Sequence, residues 1–207
     1  MMRIGLDFDN TIIRYDDVFR KAAIERGLVP AKFSGTKQQV RDSIRLLPDG
    51  EHQWQALQGY VYGKGIRGAT LFAGLDDFLR RARVHGDTIL VVSHKTEYGH
   101  FDPDRVSLRG AAMQWMEGQG FFAEQGFSLV PGNVHFASSR AEKLSRIKEL
   151  KCDVFVDDLE EILADSGFPR FVRRILFSEH AEEDDSLPYV ICRDWASIQE
   201  TVFFDRG

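Results

Sequence analysis

Two acidic side chains follow the first apolar run of this 207-residue chain. The segment 4–6 is typical of a strand buried on both faces of a parallel sheet. Because side chains alternate along an extended chain, Asp7 and Asp9 project to the same side. Converging carboxylates repel each other unless a cation lies between them or one keeps its proton. The pair suits a divalent metal, a nucleophile and a proton carrier; the alternative is a strand that ends in a polar turn.

Reactive polar groups also follow two later apolar runs. A β-branched run ends at Ser93, and the run 153–156 ends near Asp157 and Asp158. The carboxyl ends of parallel strands meet at one edge of a sheet, and ligands of open α/β folds bind there. We therefore expect these three side chains to lie near the first pair of acids.

A lysine completes this group of residues. Lys143 stands in the first turn of a predicted helix, 141–150, which leads into the strand before Asp157. In phosphoryl transfer, a carboxylate can attack phosphorus, a metal and a lysine neutralise the equatorial oxygens, and a hydroxyl holds one of them. The residue types therefore indicate phosphoryl-transfer chemistry.

The elements that position these groups alternate between strand and helix. Apolar runs predict strands at 4–6, 88–92, 133–136, 153–156, 175–177 and 189–192. Helical spacing predicts helices at 18–26, 38–47, 51–62, 106–118, 141–150 and 195–203, with another that ends near 84. Strands that alternate with helices imply a parallel sheet. We predict the α/β class, with a Rossmann-like parallel sheet flanked by helices.

One block interrupts this alternation. Residues 14–69 contain several helical patterns and no convincing strand. Such a block between the first two core strands is typical of an inserted domain that closes over a site as a lid. The predicted domains are an α/β core, 1–13 and 70–207, and a small, mostly helical cap, 14–69.

The composition limits the partners and the location of the chain. The net charge is −5, and the basic residues are scattered, which argues against a nucleic acid polymer but allows a small anionic substrate. Cys152 and Cys192 lie in apolar runs, so we expect reduced core thiols and a cytoplasmic location. We expect no secretory segment and no membrane partner, since no apolar run approaches the roughly 18 residues of a membrane span. The oligomeric state is not readable.

The motifs resemble those of the haloacid dehalogenase-like superfamily. Asp7–Thr11, with the letters DFDNT, resembles its first motif, DxDxT, and Ser93 after an apolar strand resembles the second. Lys143 resembles the third motif, and Val154–Asp158 resembles the fourth in its paired-acid form. The four occur in the family's order, and the block 14–69 lies where the family carries a C1-type cap.

This resemblance implies catalytic and metal-binding roles. Asp7 is the expected nucleophile, which forms an aspartyl-phosphate, and Asp9 is the expected acid and base for the leaving oxygen and the water. Mg²⁺ is the expected cofactor, bound by Asp7, the backbone carbonyl of Asp9, and Asp157, with Asp158 beside it. An acid at the position of Asp9 also argues against dehalogenases, which have no leaving alkoxide to protonate.

The resemblance implies phosphate-binding residues as well. Ser93 and Lys143 are expected to hold the phosphoryl group, and Thr11 and His94 are further candidates. The implied function is a Mg²⁺-dependent phosphohydrolase that acts on a small phosphorylated metabolite. A phosphomutase of the same superfamily and a non-catalytic phosphate- or nucleotide-binding module are the alternatives. A receiver domain fits poorly. In receiver domains the acid pair comes first and the lysine last, which is the reverse of the order here, and they lack an inserted cap.

Two other patterns carry weaker chemistry. Gly63–Gly68 matches GxGxxG by letter, but no strand precedes it, so we interpret it as a joint between cap and core. The loop His94–Asp104 contains histidines and acids without the spacing of a metal site. We expect this loop to line the substrate pocket, with His94 and His100 near the substrate.

Overall fold

The computed structural model describes residues 1–182, 184 and 186–204. The strands in that part of the chain are β1 Arg3–Leu6, β2 Ile13–Arg14, β3 Thr70–Leu71, β4 Thr88–His94, β5 Val134–Ala137, β6 Val154–Asp157, β7 Arg173–Phe177 and β8 Val190–Cys192. The helices are α1 Asp16–Glu25, α2 Lys37–Arg45, α3 Gly50–Tyr62, α4 Leu75–Val84, α5 Leu108–Gly118, α6 Arg140–Glu149, α7 Glu160–Leu163 and α8 Trp195–Phe203. Short 3-10 helices span Lys64–Gly68 and Pro131–Asn133.

The main sheet has the strand order β5-β4-β1-β6-β7-β8, and every pair of neighbours in it is parallel. Strands β2 and β3 form a separate pair. The predicted α/β class, with a parallel sheet flanked by helices, is therefore confirmed. The two-residue strands and the four-residue α7 were not predicted, because such short elements contain too few residues to show a period.

Strand β1 lies in the middle of the sheet, between β4 and β6. Leu6 pairs with Val91 on one side and with Val156 on the other. Ile4 and Leu6 are fully buried, as the continuous apolar run predicts. The chain leaves β1 directly into Asp7, so this acid starts at the centre of the sheet's carboxyl edge.

Helix α6 carries Lys143 toward the same edge. Its N-cap is Ser139, whose hydroxyl accepts a hydrogen bond from the amide of Glu142 at 3.2 Å. Leu144 and Ile147 are buried in the core on one side of the sheet. An apolar face and a capped first turn together orient Lys143, the fourth residue of the helix, inward.

Contacts divide the chain into two compact units. The first comprises residues 1–13, 71–95 and 120–207 and contains the main sheet, while the second comprises 14–70 and 96–119. The second unit therefore includes α5, and the indole nitrogen of Trp115 in that helix donates to the carbonyl of Ala69 at 3.1 Å. The boundaries 1–13 and 70–207 for a core and 14–69 for a cap stay a prediction.

Cys152 and Cys192 are both buried free thiols, as expected of core cysteines. None of the helices that the structure describes is both long enough and apolar enough to cross a bilayer.

Candidate active site

The acids at the ends of β1 and β6 are adjacent. The amide of Asp7 donates to the carbonyl of Val156 at 2.9 Å, so the parallel ladder continues into the first residue after β1. Asp7 is 4% exposed and Asp157 is fully buried. Neighbouring parallel strands thus place two carboxylates at the same edge, where neither is hydrated as it would be in the unfolded chain.

A buried ammonium group bridges these two acids. Lys143 Nζ lies 2.6 Å from Asp7 Oδ1 and 2.7 Å from Asp157 Oδ2, and the lysine is 1% exposed. Removing three charges from water is costly unless they compensate one another at close range. One lysine between two carboxylates leaves the cluster one positive charge short of neutrality.

The missing positive charge is reflected in the pKa values of Asp7, Asp157 and Lys143. Burial raises the pKa of Asp7 to about 7, although Lys143 acts in the opposite direction. Burial likewise raises the pKa of Asp157 against the effect of Lys143. Burial by itself would lower the pKa of Lys143, but Asp7 and Asp157 outweigh it and raise that pKa. The lysine is therefore charged, and the carboxylates gain from any additional cation.

Three acids of the cluster could hold a divalent metal ion. Oxygens of Asp7, Asp157 and Asp158 all lie within 4.8 Å of one another. Asn10, whose φ of 58° places it in the left-handed region, donates from Nδ2 to Asp158 Oδ2 at 3.3 Å. Carboxylate oxygens are ligands that Mg²⁺ prefers, and a few of them with water and phosphate complete its octahedron. The residues present therefore fit the cation.

Asp9 takes part in a second ion pair. Lys95 Nζ donates to Asp9 Oδ1 at 3.0 Å and to Oδ2 at 2.8 Å. The side chain of Lys95 is 2% exposed and that of Asp9 is 20% exposed. Lys95 was not predicted as a site residue, because it stands in a polar loop and nothing in its local pattern separates it from a solvated lysine.

The remaining predicted phosphate ligands differ in exposure. Ser93 is 1% exposed near the carboxyl end of β4, the strand beside β1. His94 is exposed, and its Nε2 lies 3.2 Å from the carbonyl oxygen of Ser138. Thr11 is fully buried, and its Oγ1 has no hydrogen-bond partner within the described residues. The contacts of these three residues with phosphate stay a prediction.

The structure brings the predicted site residues together in two groups. Lys143 joins Asp7 to Asp157, with Asp158 beside them, and Lys95 holds Asp9. Each group combines residues that are distant in sequence and reach one edge of the sheet from different elements. The arrangement contains a candidate nucleophile, a candidate proton carrier, three acids that could hold a cation, and two ammonium groups.

The acids of the loop after Lys95 have structural partners in the second unit. Asp102 accepts hydrogen bonds from the amides of Asp104 and Val106 at 3.1 and 2.9 Å. Asp104 pairs with Lys64 at 2.5 Å. These bonds shape the loop. The predicted role of the loop in lining a substrate pocket stays a prediction.

Comparison with solved structures identifies the fold. A haloacid dehalogenase-like family hydrolase from Streptococcus pneumoniae superposes with a TM-score of 0.61 at 13% identity, over 99% of this chain and 98% of that chain. A predicted phosphatase from Clostridium acetobutylicum gives 0.59 at 10% identity, over 98% of both chains. A HAD family hydrolase from Deinococcus radiodurans, with bound phosphate and sodium, gives 0.57 at 14% identity, over 99% of this chain and 96% of that one.

The likeness is therefore structural. No protein-family model and no curated sequence matches the chain. At these low identities the superpositions show the fold: the chain has the fold of the haloacid dehalogenase-like hydrolases over nearly its whole length. The resemblance that the four motifs predict is confirmed at this level.

Proposed function

We propose that this protein is a Mg²⁺-dependent phosphohydrolase that acts on a small phosphorylated metabolite through an aspartyl-phosphate. The observation that carries the proposal is the buried Lys143 between Asp7 and Asp157, at 2.6 and 2.7 Å. A nucleophilic carboxylate, a fixed ammonium and a cation site within one cluster are what a transferring phosphoryl group requires. Solved structures with this fold include a hydrolase with bound phosphate and a protein described as a predicted phosphatase.

The first half of the reaction forms a phosphoryl-enzyme. A carboxylate oxygen of Asp7 attacks phosphorus, and the bond between phosphorus and the ester oxygen breaks. The leaving oxygen takes a proton from Asp9 and departs as an alcohol. Lys143 remains beside Asp7 and balances negative charge as it shifts between the carboxylate and the phosphoryl oxygens.

The second half regenerates the enzyme. A water molecule attacks phosphorus, and Asp9, now a carboxylate, removes a proton from that water. The bond between phosphorus and Asp7 breaks, which releases inorganic phosphate and restores the Asp7 carboxylate, while Asp9 is protonated again. Asp9 thus gives a proton in one half and takes one in the other, as a side chain that remains partly hydrated at 20% exposure can do.

The remaining site residues have supporting roles in the proposal. Asp7, the backbone carbonyl of Asp9, and Asp157, with Asp158 beside them, would hold Mg²⁺, which would neutralise charge on the phosphoryl oxygens. Ser93 offers a hydroxyl for one of these oxygens, with Thr11 and His94 as further phosphate-binding candidates. The second unit, 14–70 with 96–119, is the proposed cap, and a cytoplasmic location suits the two free thiols.

The central test replaces the nucleophile. Asp7→Asn removes the attacking oxygen but keeps the shape, so phosphate release from p-nitrophenyl phosphate in Mg²⁺ should fall more than about 1000-fold. Asp77→Asn, an exposed position in the first turn of α4, is the matched control and should keep full activity. Circular dichroism verifies that both variants are folded. Wild-type-like turnover by Asp7→Asn would rule out the proposed nucleophile.

The same assays separate the alternatives. A phosphomutase returns the phosphoryl group to a sugar phosphate, so a metabolite panel would give an isomerised product without matching inorganic phosphate. A binding module would bind phosphate compounds without turning over any of them. Stoichiometric release of phosphate from one member of the panel supports the phosphohydrolase.

A further inference from the structure

Lys95 is a buried cation to which the reaction above gives no part. It follows β4 directly, at the point where the chain leaves the first unit for the loop that begins at Thr96. Its ammonium contacts both carboxylate oxygens of Asp9, at 3.0 and 2.8 Å. A lysine that is 2% exposed has lost nearly all its hydration, whereas Asp9 keeps 20% of its side chain exposed, so the pair is buried at its lysine end and differs from a fully exposed surface ion pair.

Both ends of the Lys95 side chain are held in place. The backbone amide donates to the carbonyl of Ala137 at 2.9 Å, which extends the β4–β5 ladder by one residue. The ammonium lies 5.5 Å from the centre of the Phe8 ring, and Phe8 is fully buried. The Lys95 side chain is thus held at its backbone end by the sheet and lies near the Phe8 ring at its other end. This placement directs the ammonium group toward Asp9.

We infer that Lys95 is a positioning residue for Asp9, an inference that rests on the proposed function. Lysine pairing with both oxygens fixes the rotation of the Asp9 carboxyl group about its side-chain bonds. When one oxygen carries or accepts the proton in transfer, the ammonium still donates to the other. Lys95 thereby keeps Asp9 aimed at the leaving oxygen in the first half of the reaction and at the water in the second.

A purely structural lysine and a positioning lysine differ in one measurable respect. Proton delivery matters most when the leaving group is a poor one, such as the alkoxide of an alkyl phosphate. In the first half of the reaction it matters little for p-nitrophenyl phosphate, whose phenolate leaves without a proton. The second half is common to both substrates, but kcat/KM reports the first half alone. A structural defect would lower kcat/KM for both substrates alike, whereas a misaimed Asp9 would lower kcat/KM for the alkyl phosphate selectively.

The experiment measures kcat and KM of Lys95→Met on both kinds of substrate in saturating Mg²⁺. The alkyl phosphate used is the one that the wild-type protein hydrolyses fastest in a metabolite panel. Lys148→Met, at an exposed position of α6, is the control. We expect kcat/KM for the alkyl phosphate to fall about 100-fold and kcat/KM for p-nitrophenyl phosphate to fall less than about tenfold. Equal losses on both substrates, or no loss, would overturn the inference.

A double-mutant cycle tests whether Lys95 acts through Asp9. If it does, the large loss of kcat/KM that Lys95→Met causes on the alkyl phosphate should shrink to less than about twofold in an Asp9→Asn protein, since no carboxylate remains to be aimed. Additive losses would overturn the inference. Lys95→Gln, which keeps a hydrogen-bond donor, is a second variant in case Lys95→Met does not fold. An unchanged ratio of the alkyl phosphate rate to the p-nitrophenyl phosphate rate in Lys95→Gln counts against a positioning role, as does failure of both variants to fold.

Failure of the inference is distinguishable from failure of the proposed function. If wild type hydrolyses no phosphate monoester in Mg²⁺, the proposed function fails and the inference falls with it. If wild type is active and the ratio of the two rates is the same in Lys95→Met, only the inference fails.

Discussion

At the scale of single residues, burial of charge is the costly feature of this molecule. Asp7, Asp157 and Lys143 are each less than 5% exposed, and the lysine is the shared partner of both acids. Breaking such a group by removing one member costs far more than an exposed ion pair contributes, because the charges left behind remain in the interior. The catalytic lysine candidate is therefore also a stability determinant.

We expect Lys143→Met to lower the free energy of unfolding by about 3–5 kcal/mol in metal-free buffer, as measured by urea denaturation. The lysine's loss leaves two adjacent buried carboxylates without their counter-charge. Lys148→Met, on the exposed side of the same helix, should change stability by less than about 0.5 kcal/mol.

The double variant Lys143→Met/Asp157→Asn checks the cause of this loss. Removing one of the two carboxylates should recover part of the stability, because less charge remains unpaired. Equal stability of Lys143→Met and Lys148→Met, or no recovery in the double variant, would contradict the role given to the cluster.

At the scale of elements, the close packing of β1 against β6 places the first acid. Gly5 pairs with Phe155, and a Cβ added at Gly5 would run into the Phe155 ring and approach Cys152 Sγ to 2.9 Å. Only a residue without a side chain leaves room for this ring at the centre of the sheet. The glycine is thus a packing requirement two residues before Asp7.

We expect Gly5→Ala to destabilise the protein by about 1–3 kcal/mol, because the added methyl must displace a fully buried ring. Gly118→Ala is the matched control: nothing lies within 4 Å of its added Cβ, and alanine favours the last turn of α5. Thermal and urea unfolding of both variants provide the measurement. A Gly5→Ala protein as stable as the Gly118→Ala protein would refute this packing argument.

At the scale of the whole molecule, a cation that binds only the folded cluster must stabilise the entire fold. We expect saturating MgCl₂ to raise Tm relative to NaCl of the same ionic strength. At a Mg²⁺ concentration of 100 times the dissociation constant, the free energy of unfolding should rise by about 2.7 kcal/mol. Asp157→Asn should abolish most of this shift, whereas Asp77→Asn should keep it. Equal shifts in wild type and Asp157→Asn, measured by differential scanning calorimetry, would argue against the site.

The division of the chain into units also belongs to this scale. The boundaries fall after residues 13, 70, 95 and 119, so neither unit is one continuous segment. Residues 96–119, which the predicted core includes, contact 14–70 and contribute α5 to the second unit. The block 14–69 is therefore less than the whole of that unit.

The sequence by itself determined what depends on neighbours a few positions apart. The apolar runs 4–6 and 88–92 each form a strand, and the polar residue at the end of each strand lies at the edge of the sheet. The spacing within 141–150 predicts the helix that bears Lys143. Residue types at these ends are the basis of the prediction of phosphoryl-transfer chemistry, which stays a proposal. Such elements show a local period in the sequence because a buried face requires apolar residues about once per turn of a helix or at every second residue of a strand.

Only the tertiary structure decided which of the distant charged groups form direct ion pairs. Lys95 and Asp9 are 86 positions apart, and their pairing depends on β4 lying beside β1 and on the path of the chain after Ser93. The association of 96–119 with 14–70 likewise depends on how helices pack, which no single segment encodes. Contacts of this kind follow from the packing of all elements at once, and so they leave no periodic signal in the sequence.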